Sequence, residues 1–381
     1  MTTIIIGAGP AGLAVAAELR RRGKSSIVLE RADHVGSSWR GHYDRLHLHT
    51  VRWMSHLPGY RIPRSEGPWV ARDGVIRYLD DYARHHEIDV RTGVSVDRVD
   101  RDSMAPDAWT VHTSHGAFAA SSVVVATGYN HSRSLPEWAA HFTGVIQHAA
   151  DYRNGAHHEG QHVLVVGSGN TGAEIAVDLA EHGAARVELA IRTAPHIIRR
   201  SVLGMPTQLA GLVIKNFPLH LGDRLGRVAT RLTSSALARA GMPVPTDGMF
   251  SQAALGRVPI IDVGLIEAIV ASRVRPVAHV VRAHGASVEL VDGTRLEPHA
   301  IVLATGYQRG LVPIVGHLDA LDAHGVPRVR GASTAASAPG LYFIGFTPPI
   351  SGMLREIALD ARRIGRAVAR RTDTRPRVHN S

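Results

Sequence analysis

Apolar runs, glycine turns and a helical pattern alternate at the start of the chain. Residues 4–6 are apolar, G-A-G-P-A-G follows at 7–12, and apolar positions then recur along one side of a segment that reaches about residue 22. A second apolar run at 26–29 ends in Glu30. This order predicts a strand, a glycine turn, a helix and a second buried strand, which together form a βαβ unit.

The same order returns in the middle of the chain. An apolar run at 163–166 leads into G-S-G-N-T-G at 167–172, and a helical segment follows to about residue 182. The next apolar run, at 187–191, ends in Arg192 instead of an acid. The chain thus contains two similar units with opposite charges at the end of the second strand.

A further pair of similar segments predicts where the chain crosses between domains. V-V-V-A-T-G-Y at 123–129 and I-V-L-A-T-G-Y at 301–307 each consist of a buried strand that stops at a turn of small residues. We therefore expect an α/β fold with two doubly wound Rossmann-type domains, the second inserted into the first. The predicted ranges are 1–153 and 307–381 for the first domain, 154–306 for the second, and about 199–245 for a helical segment within it that is a candidate pocket cover.

Both glycine turns have the spacing that dinucleotide binding requires. A pyrophosphate must approach the backbone N–H groups at a helix N-terminus, which explains the first two glycines, and the third permits close contact between helix and strand. Glu30 would accept hydrogen bonds from the hydroxyls of an unphosphorylated ribose, as in FAD or NAD. Arg192 would pair with a 2′-phosphate and so favours NADPH, although arginine is frequent enough here for a chance occurrence. One resident and one exchanging dinucleotide suit a flavin enzyme reduced by NADPH.

Composition narrows the possible chemistry. The 381 residues include no cysteine, which excludes a disulfide scaffold, thiolate metal sites, iron–sulfur ligation and dithiol redox chemistry. Any redox chemistry therefore requires a bound cofactor. The histidines have no metal-ligand spacing, so we expect no metal.

Charge and hydropathy bear on partners and location. The formal charge of +10 would suit nucleic acid, but the basic residues are almost all arginine and are scattered, so we expect no nucleic-acid partner. The start of the chain lacks the basic region of a secretory signal. The longest uncharged stretch, 331–354, is rich in Gly, Pro, Ser and Thr. We expect a cytoplasmic protein without a membrane span.

The segment between the two units carries a more specific pattern. F-T-G-V-I-Q-H-A-A-D-Y at 142–152 resembles the F-x-G-x-x-x-H-x-x-x-Y fingerprint of the class B flavin-dependent monooxygenases, and L-A-T-G-Y at 303–307 is similar to another element of that family. Residues 43–49, 259–264 and 345–347 look like the YUCCA group, the plant flavin monooxygenases that convert indole-3-pyruvate to indole-3-acetate. The resemblance extends over most of the chain.

This resemblance implies FAD and NADPH as cofactors and a small-molecule substrate with O2 as partners. It also implies a C4a-(hydro)peroxyflavin that transfers one oxygen atom to a small aromatic substrate. Oxidative decarboxylation of an α-keto acid such as indole-3-pyruvate is the leading reaction. N- or S-oxygenation and Baeyer–Villiger oxidation are alternatives, as is a flavin- and NADPH-binding sensor or electron-transfer protein. The oligomeric state stays open.

The resemblance also suggests site residues. Many flavin-containing monooxygenases have an active-site asparagine where this chain and the YUCCA group have histidine, here His49. His49 and Asn170 are the catalytic candidates, although the chemistry resides mainly on the flavin. We expect His148 and Tyr152 to shape the linker beside NADPH, and the Arg199–Arg200 pair to be solvated. The candidate FAD contacts are Gly7, Gly9, Ala11, Gly12, Glu30, Arg31, Trp39, Arg40, His49 and Gly345, and the candidate NADPH contacts are Gly167, Gly169, Asn170, Thr171, Gly172, Arg192 and Thr193.

Overall fold

The computed structural model describes residues 2–373 apart from 103–104, 106–107, 203, 215–217 and 347–350, so residue 347 of the predicted 345–347 element lies outside the described residues. The strands are β1 Thr3–Ile6, β2 Ser26–Leu29, β3 Val90–Arg91, β4 Val96–Arg101, β5 Trp109–Thr113, β6 Gly116–Ala120, β7 Ser122–Val125, β8 Ser132–Arg133, β9 Val145–His148, β10 His162–Val166, β11 Arg186–Ile191, β12 Ile197–Arg199, β13 Ser201–Val202, β14 Met205–Pro206, β15 Ile260–Asp262, β16 Arg275–Ala278, β17 Val280–His284, β18 Ser287–Leu290, β19 Arg295–Leu296, β20 Ala300–Leu303, β21 Tyr307–Gln308 and β22 Leu341–Phe343. The α-helices are α1 Pro10–Arg20, α2 Ser37–Arg40, α3 Arg72–His85, α4 Asn170–Glu181, α5 Thr207–Ile214, α6 Leu219–Arg239, α7 Met249–Ala254, α8 Leu265–Val270, α9 Val312–Val315 and α10 Met353–Asp373.

Two five-stranded parallel sheets carry the two predicted βαβ units. Their strand orders are β22-β7-β1-β2-β3 and β16-β11-β10-β20-β9. In each sheet the strand before the glycine turn is central, with the second strand of its unit on one side and the strand of the A-T-G-Y segment on the other. The prediction of an α/β fold with two Rossmann-type domains is confirmed.

Burial on both faces explains why these strands read as continuous apolar runs. Successive side chains of a strand point to opposite faces of its sheet. Ile5 and Val28 accordingly belong to the core cluster that contains α1 and α10, whereas Ile4, Ile6 and Leu29 belong to the cluster on the other face. The second sheet is likewise packed on both sides.

The two segments that connect the sheets pair with each other. β8 and β21 form a two-stranded antiparallel sheet in which Tyr307 lies opposite Arg133. Soon afterwards β9 joins the second sheet through β20. The predicted boundary at residue 153 therefore falls beyond the strand at the edge of the second sheet. The domain bounds stay a prediction, and this pairing favours a first boundary near residues 129–134.

The segment expected to be helical at about 199–245 begins differently. Strands β13 and β14 pair antiparallel there, with Ser201 opposite Pro206 and Val202 opposite Met205, and Gly204 has φ +77°. Helices α5 and α6 then follow. No helix within the described ranges is long and apolar enough to cross a membrane.

Candidate active site

The first glycine turn depends on close backbone contacts. Gly7 has φ +105°, and a Cβ there would lie 2.7 Å from the carbonyl oxygen of Ala126. A Cβ on Gly12 would lie 1.9 Å from the Gly7 oxygen. Gly9, in contrast, would place its Cβ with no atom within 4 Å, and it precedes α1 without a side-chain cap. The turn is therefore closely packed on its inner side and open at the helix N-terminus.

The second turn repeats this geometry. Gly167 has φ +116°, and a Cβ there would lie 2.4 Å from the oxygen of Ala304, while one on Gly172 would lie 1.9 Å from the Gly167 oxygen. Gly169 again has open space, and it precedes α4 without a side-chain cap. Two uncapped helix N-termini with glycine at the closest point suit two pyrophosphates.

A cavity of about 1200 Å³ lies between the two units and extends from the first glycine turn to the start of α4. This volume exceeds the range of up to roughly 1,000 Å³ that is usual for single-ligand sites. The predicted site residues that line it are Gly7, Gly9, Ala11, Glu30, Arg31, Trp39, His49, Asn170, Thr171 and Gly345. Residues of α5, α6 and α7 also line it, so the 199–245 segment contributes a wall.

Glu30 is a buried carboxylate at the end of β2. Its oxygens accept hydrogen bonds from the Ala8 N–H at 2.7 Å, the Ala32 N–H at 3.0 Å and the Ser37 hydroxyl at 3.2 Å. These donors hold the carboxylate beside the cavity, and a carboxylate has about four lone-pair sites. About one acceptor site remains, and it suits a ribose hydroxyl.

The other FAD candidates fall into two groups. Gly345 has φ +85°, and its missing Cβ would lie 3.3 Å from the Ala11 Cβ, so the two predicted contacts are neighbours. Trp39 lines the cavity half-buried. Arg40 instead directs its guanidinium to the Asp80 carboxylate at 2.6 Å and its Nε to the Val35 carbonyl. Arg40 therefore joins α2 to α3, and it does not line the cavity.

Arg192 and Thr193 follow β11 and are exposed. They take the position that Glu30 and Arg31 take after β2. Among the described residues the Arg192 guanidinium has no hydrogen-bond or ion-pair partner, whereas Arg31 contacts the His131 ring at 3.1 Å. An exposed, unengaged guanidinium at this place suits a 2′-phosphate.

His49 lies at the junction of the two units. Its Nε2 is 2.6 Å from an oxygen of Glu174, a buried carboxylate on α4. The Tyr43 hydroxyl interacts with the same carboxylate and with Thr171, and burial, reinforced by Glu174, raises the pKa of Tyr43 well above its usual value. The result is a cluster of His49, Glu174, Tyr43 and Thr171 at the cavity wall.

Asn170 ties α4 to β15. Its side-chain amide donates to the Pro259 carbonyl at 3.2 Å, and its oxygen accepts from the Ile261 N–H at 2.7 Å. Beyond these two bonds the amide has a second N–H. Asn170 thus has a structural role in addition to its place at the cavity.

The fingerprint at 142–152 builds the linker. A side chain at Gly144 would collide with the ring of Phe142, which packs in the core of the second unit. His148 is buried, with Nε2 3.2 Å from the Gly306 carbonyl, and burial lowers its pKa. The Tyr152 hydroxyl donates to the buried Asp178 carboxylate at 2.6 Å, and burial raises the pKa of Tyr152.

Known proteins resemble this chain in sequence. Residues 4–202 match the family model described as pyridine nucleotide-disulphide oxidoreductase. The chain is 34% identical to a probable indole-3-pyruvate monooxygenase, YUCCA8 of Arabidopsis thaliana, over 90% of its own length and 84% of that protein. It is 33% identical to indole-3-pyruvate monooxygenase YUCCA1 of rice (Oryza sativa subsp. japonica) over 90% and 86% of the two chains.

The chain belongs to the flavin-dependent monooxygenase family. This membership implies FAD and NADPH as cofactors and a small-molecule substrate with O2. Because the chain has no cysteine, the dithiol chemistry in the name of the family model is impossible here.

Solved structures agree on the fold. A flavin-containing monooxygenase from Stenotrophomonas maltophilia superposes with a TM-score of 0.72 at 22% identity, over 96% of this chain and 98% of that one. The closed structure of a cyclohexanone monooxygenase superposes with a TM-score of 0.75 at 18% identity, over 98% and 85%.

Sequence reasoning missed two residues, Glu174 behind His49 and Arg200 at the cavity. Glu174 is separated from His49 by 125 positions, yet a carboxylate within the otherwise apolar run 173–177 is a local signal that could have found it. Arg200, expected to be solvated, lines the cavity, while Arg199 is exposed. No local pattern separates these two arginines.

Proposed function

We propose that this protein is an FAD- and NADPH-dependent monooxygenase that catalyses the oxidative decarboxylation of a small aromatic α-keto acid such as indole-3-pyruvate. The reaction joins the keto acid, O2, NADPH and a proton to give an aryl acetate, CO2, NADP⁺ and water. When bound, FAD and NADPH supply the hydride and the activation of dioxygen. The observation that carries the proposal is one cavity lined by the first glycine turn, by His49 and by Asn170 and Thr171 of the second turn.

The chain's own residues would bind the cofactors, orient the substrate and exclude water from the site. The N–H groups at the start of α1 and α4 would hold the two pyrophosphates, Glu30 a ribose, and Arg192 the 2′-phosphate. Because the Glu174 carboxylate binds Nε2 of His49, the other ring nitrogen, Nδ1, is left for a ligand. The apolar side chains of α6, α7 and residues 258–261 would surround an arene and keep the site dry.

The experiment measures how much of the NADPH consumption is coupled to product formation. The flavin-loaded protein is given NADPH and one compound at a time from indole-3-pyruvate, phenylpyruvate, an aryl amine, an aryl sulfide and an aryl ketone. NADPH consumption, product and hydrogen peroxide are followed together. Catalase is added in parallel, because free peroxide decarboxylates α-keto acids without an enzyme.

We expect the aryl pyruvates to give nearly one aryl acetate per NADPH with catalase present. Coupled turnover of the amine, sulfide or ketone, with none of the keto acids, would replace this substrate class. Peroxide in proportion to NADPH with every compound would refute oxygen transfer to these substrates.

A further inference from the structure

One guanidinium stands at the cavity without a polar partner among the described residues. Arg200 follows β12 and lines the cavity, where it is half-buried. Its guanidinium carbon lies 4.6 Å from the centre of the Trp69 ring, a cation–π contact. The N–H donors of the guanidinium have no hydrogen-bond acceptor among the described residues and are available to a ligand.

The surrounding backbone holds Arg200 close to His49. Trp69 precedes Val70, whose carbonyl accepts the Leu48 N–H at 2.8 Å, next to His49. The Arg200 carbonyl accepts the Thr207 N–H at 3.1 Å. Arg200 is therefore fixed between the strand-like segment that ends at His49 and the start of α5.

Helix α5 itself is fixed to the same region. The Gln208 amide oxygen accepts the Val51 N–H at 3.1 Å, and its nitrogen donates to the Ser351 carbonyl at 2.6 Å. These two bonds join α5 to the loop after His49 and to the start of the C-terminal helix. The wall that carries Arg200 is thus anchored on two sides.

The positive charge of Arg200 has no hydrogen-bonded anion among the described residues. Burial lowers the pKa of the Arg200 guanidinium, and the Glu174 carboxylate acts in the opposite direction. Glu174 is already engaged by His49 and Tyr43. A cation that has lost water without gaining a hydrogen-bonded anion is unfavourable, and a ligand carboxylate would relieve this cost.

Apolar side chains form much of the cavity wall beside the polar Thr207 and Gln208 of α5. They include Ile198, Leu225, Met249, Phe250, Val258 and Ile261. A fork of N–H donors at an apolar wall matches a molecule with a carboxylate at one end and an arene at the other.

We propose that Arg200 is the specificity-determining residue of this site and binds the carboxylate of an aryl acid substrate. The inference rests on the proposed function and names the group of the substrate that is recognised. It separates Arg200 from Arg192, which is predicted to bind the 2′-phosphate of NADPH.

The test compares a charged and a neutral compound of the same shape. Binding of 3-phenylpropionate and of 3-phenylpropanamide to the oxidised, flavin-loaded protein is measured by titration calorimetry, without turnover. The variants are Arg200→Gln and Arg200→Lys, and the matched control is Arg199→Gln, since Arg199 is the exposed neighbour. The affinity of each variant for NADP⁺ is measured in the same way.

We expect Arg200→Gln to weaken binding of the propionate by about tenfold or more and to leave binding of the amide unchanged. Arg200→Lys should retain part of the preference, because a lysine keeps the charge but not the planar fork. Arg199→Gln should match the wild type. Because no turnover is involved, these results are independent of the coupling experiment.

Three outcomes would overturn the inference. Equal loss of acid and amide binding would make Arg200 a packing residue. Weaker NADP⁺ binding with unchanged discrimination of acid from amide would assign it to the nucleotide. A wild-type protein that binds acid and amide equally would leave no carboxylate recognition to explain.

Discussion

The two dinucleotide units share a backbone geometry but carry different residues at the end of their second strand. In both, the third glycine would place a Cβ 1.9 Å from the oxygen of the first, and the first packs against an alanine of the A-T-G-Y segment. After β2 lies Glu30, buried and held by three hydrogen bonds. After β11 lies Arg192, exposed and without a polar partner among the described residues.

This difference suits one site that keeps its nucleotide and one that exchanges it. A preorganised, buried acceptor suits a nucleotide that stays bound, because the chain has already fixed the carboxylate. An exposed cation without a polar partner among the described residues suits a nucleotide that arrives and leaves, because its charge attracts a phosphate from solution. The same turn can thus serve a resident FAD and an exchanging NADPH.

Alanine substitutions in the two glycine turns should have the largest effects on stability and on cofactor binding. Gly12→Ala and Gly172→Ala each force a methyl group onto a backbone oxygen and should lower the free energy of unfolding by about 3 kcal/mol. Gly9→Ala and Gly169→Ala meet no protein atom, so they should fold normally. We expect Gly9→Ala to lose flavin, and Gly169→Ala to retain flavin but bind NADPH weakly. Chemical unfolding and flavin absorbance measure both effects, and a stable Gly12→Ala would contradict the packing argument.

Replacing Arg192 should show whether the second unit distinguishes NADPH from NADH. Arg192→Ala is expected to raise the KM for NADPH by about thirtyfold and to leave the KM for NADH nearly unchanged, because only NADPH carries a 2′-phosphate. Steady-state kinetics with both nucleotides provide the measurement. An equal rise for both would remove Arg192 from this role.

A pH series should test whether His42, which lines the cavity between the units, is held neutral. Burial, with the nearby Arg153 and Arg72, lowers the pKa of His42 to about 4 from 6.5. Below pH 6.5 the unfolded chain takes up a proton that the folded protein refuses, so stability is lost as the pH falls toward 4. This histidine should contribute a loss of about 2 kcal/mol at pH 5.

The matched variant for this prediction is His42→Gln, which cannot titrate. The difference in unfolding free energy between wild type and variant should change between pH 7.5 and pH 5. If it stays constant, His42 is not held neutral at this junction.

Local patterns predicted the fold and the glycine turns because both depend on neighbours in sequence. The spacing of Gly7, Gly9 and Gly12 is set by one turn, and the fingerprint glycine, Gly144, is required by Phe142 two positions away. The A-T-G-Y repeats were expected to mark domain crossings, and the structure adds that Ala126 and Ala304 seat the glycine turns.

The cavity wall could not be predicted in the same way. The contacts of His49 with Glu174 and of Asn170 with Ile261 join residues 125 and 91 positions apart. The first depends on how the two units pack and the second on packing within the second unit. Arg40 had the right position in sequence for a cofactor contact, but its partner Asp80 lies on α3. Residues that complete a site across two sheets leave little local signal.

The most direct test of the proposed reaction traces the oxygen atom. Indole-3-pyruvate and NADPH are supplied to the flavin-loaded protein under ¹⁸O2 with catalase present, and the indole-3-acetate is analysed by mass spectrometry. Oxidative decarboxylation by this protein predicts one ¹⁸O atom in each newly formed carboxylate and nearly one product per NADPH. Oxidation of NADPH without formation of labelled acid would contradict it.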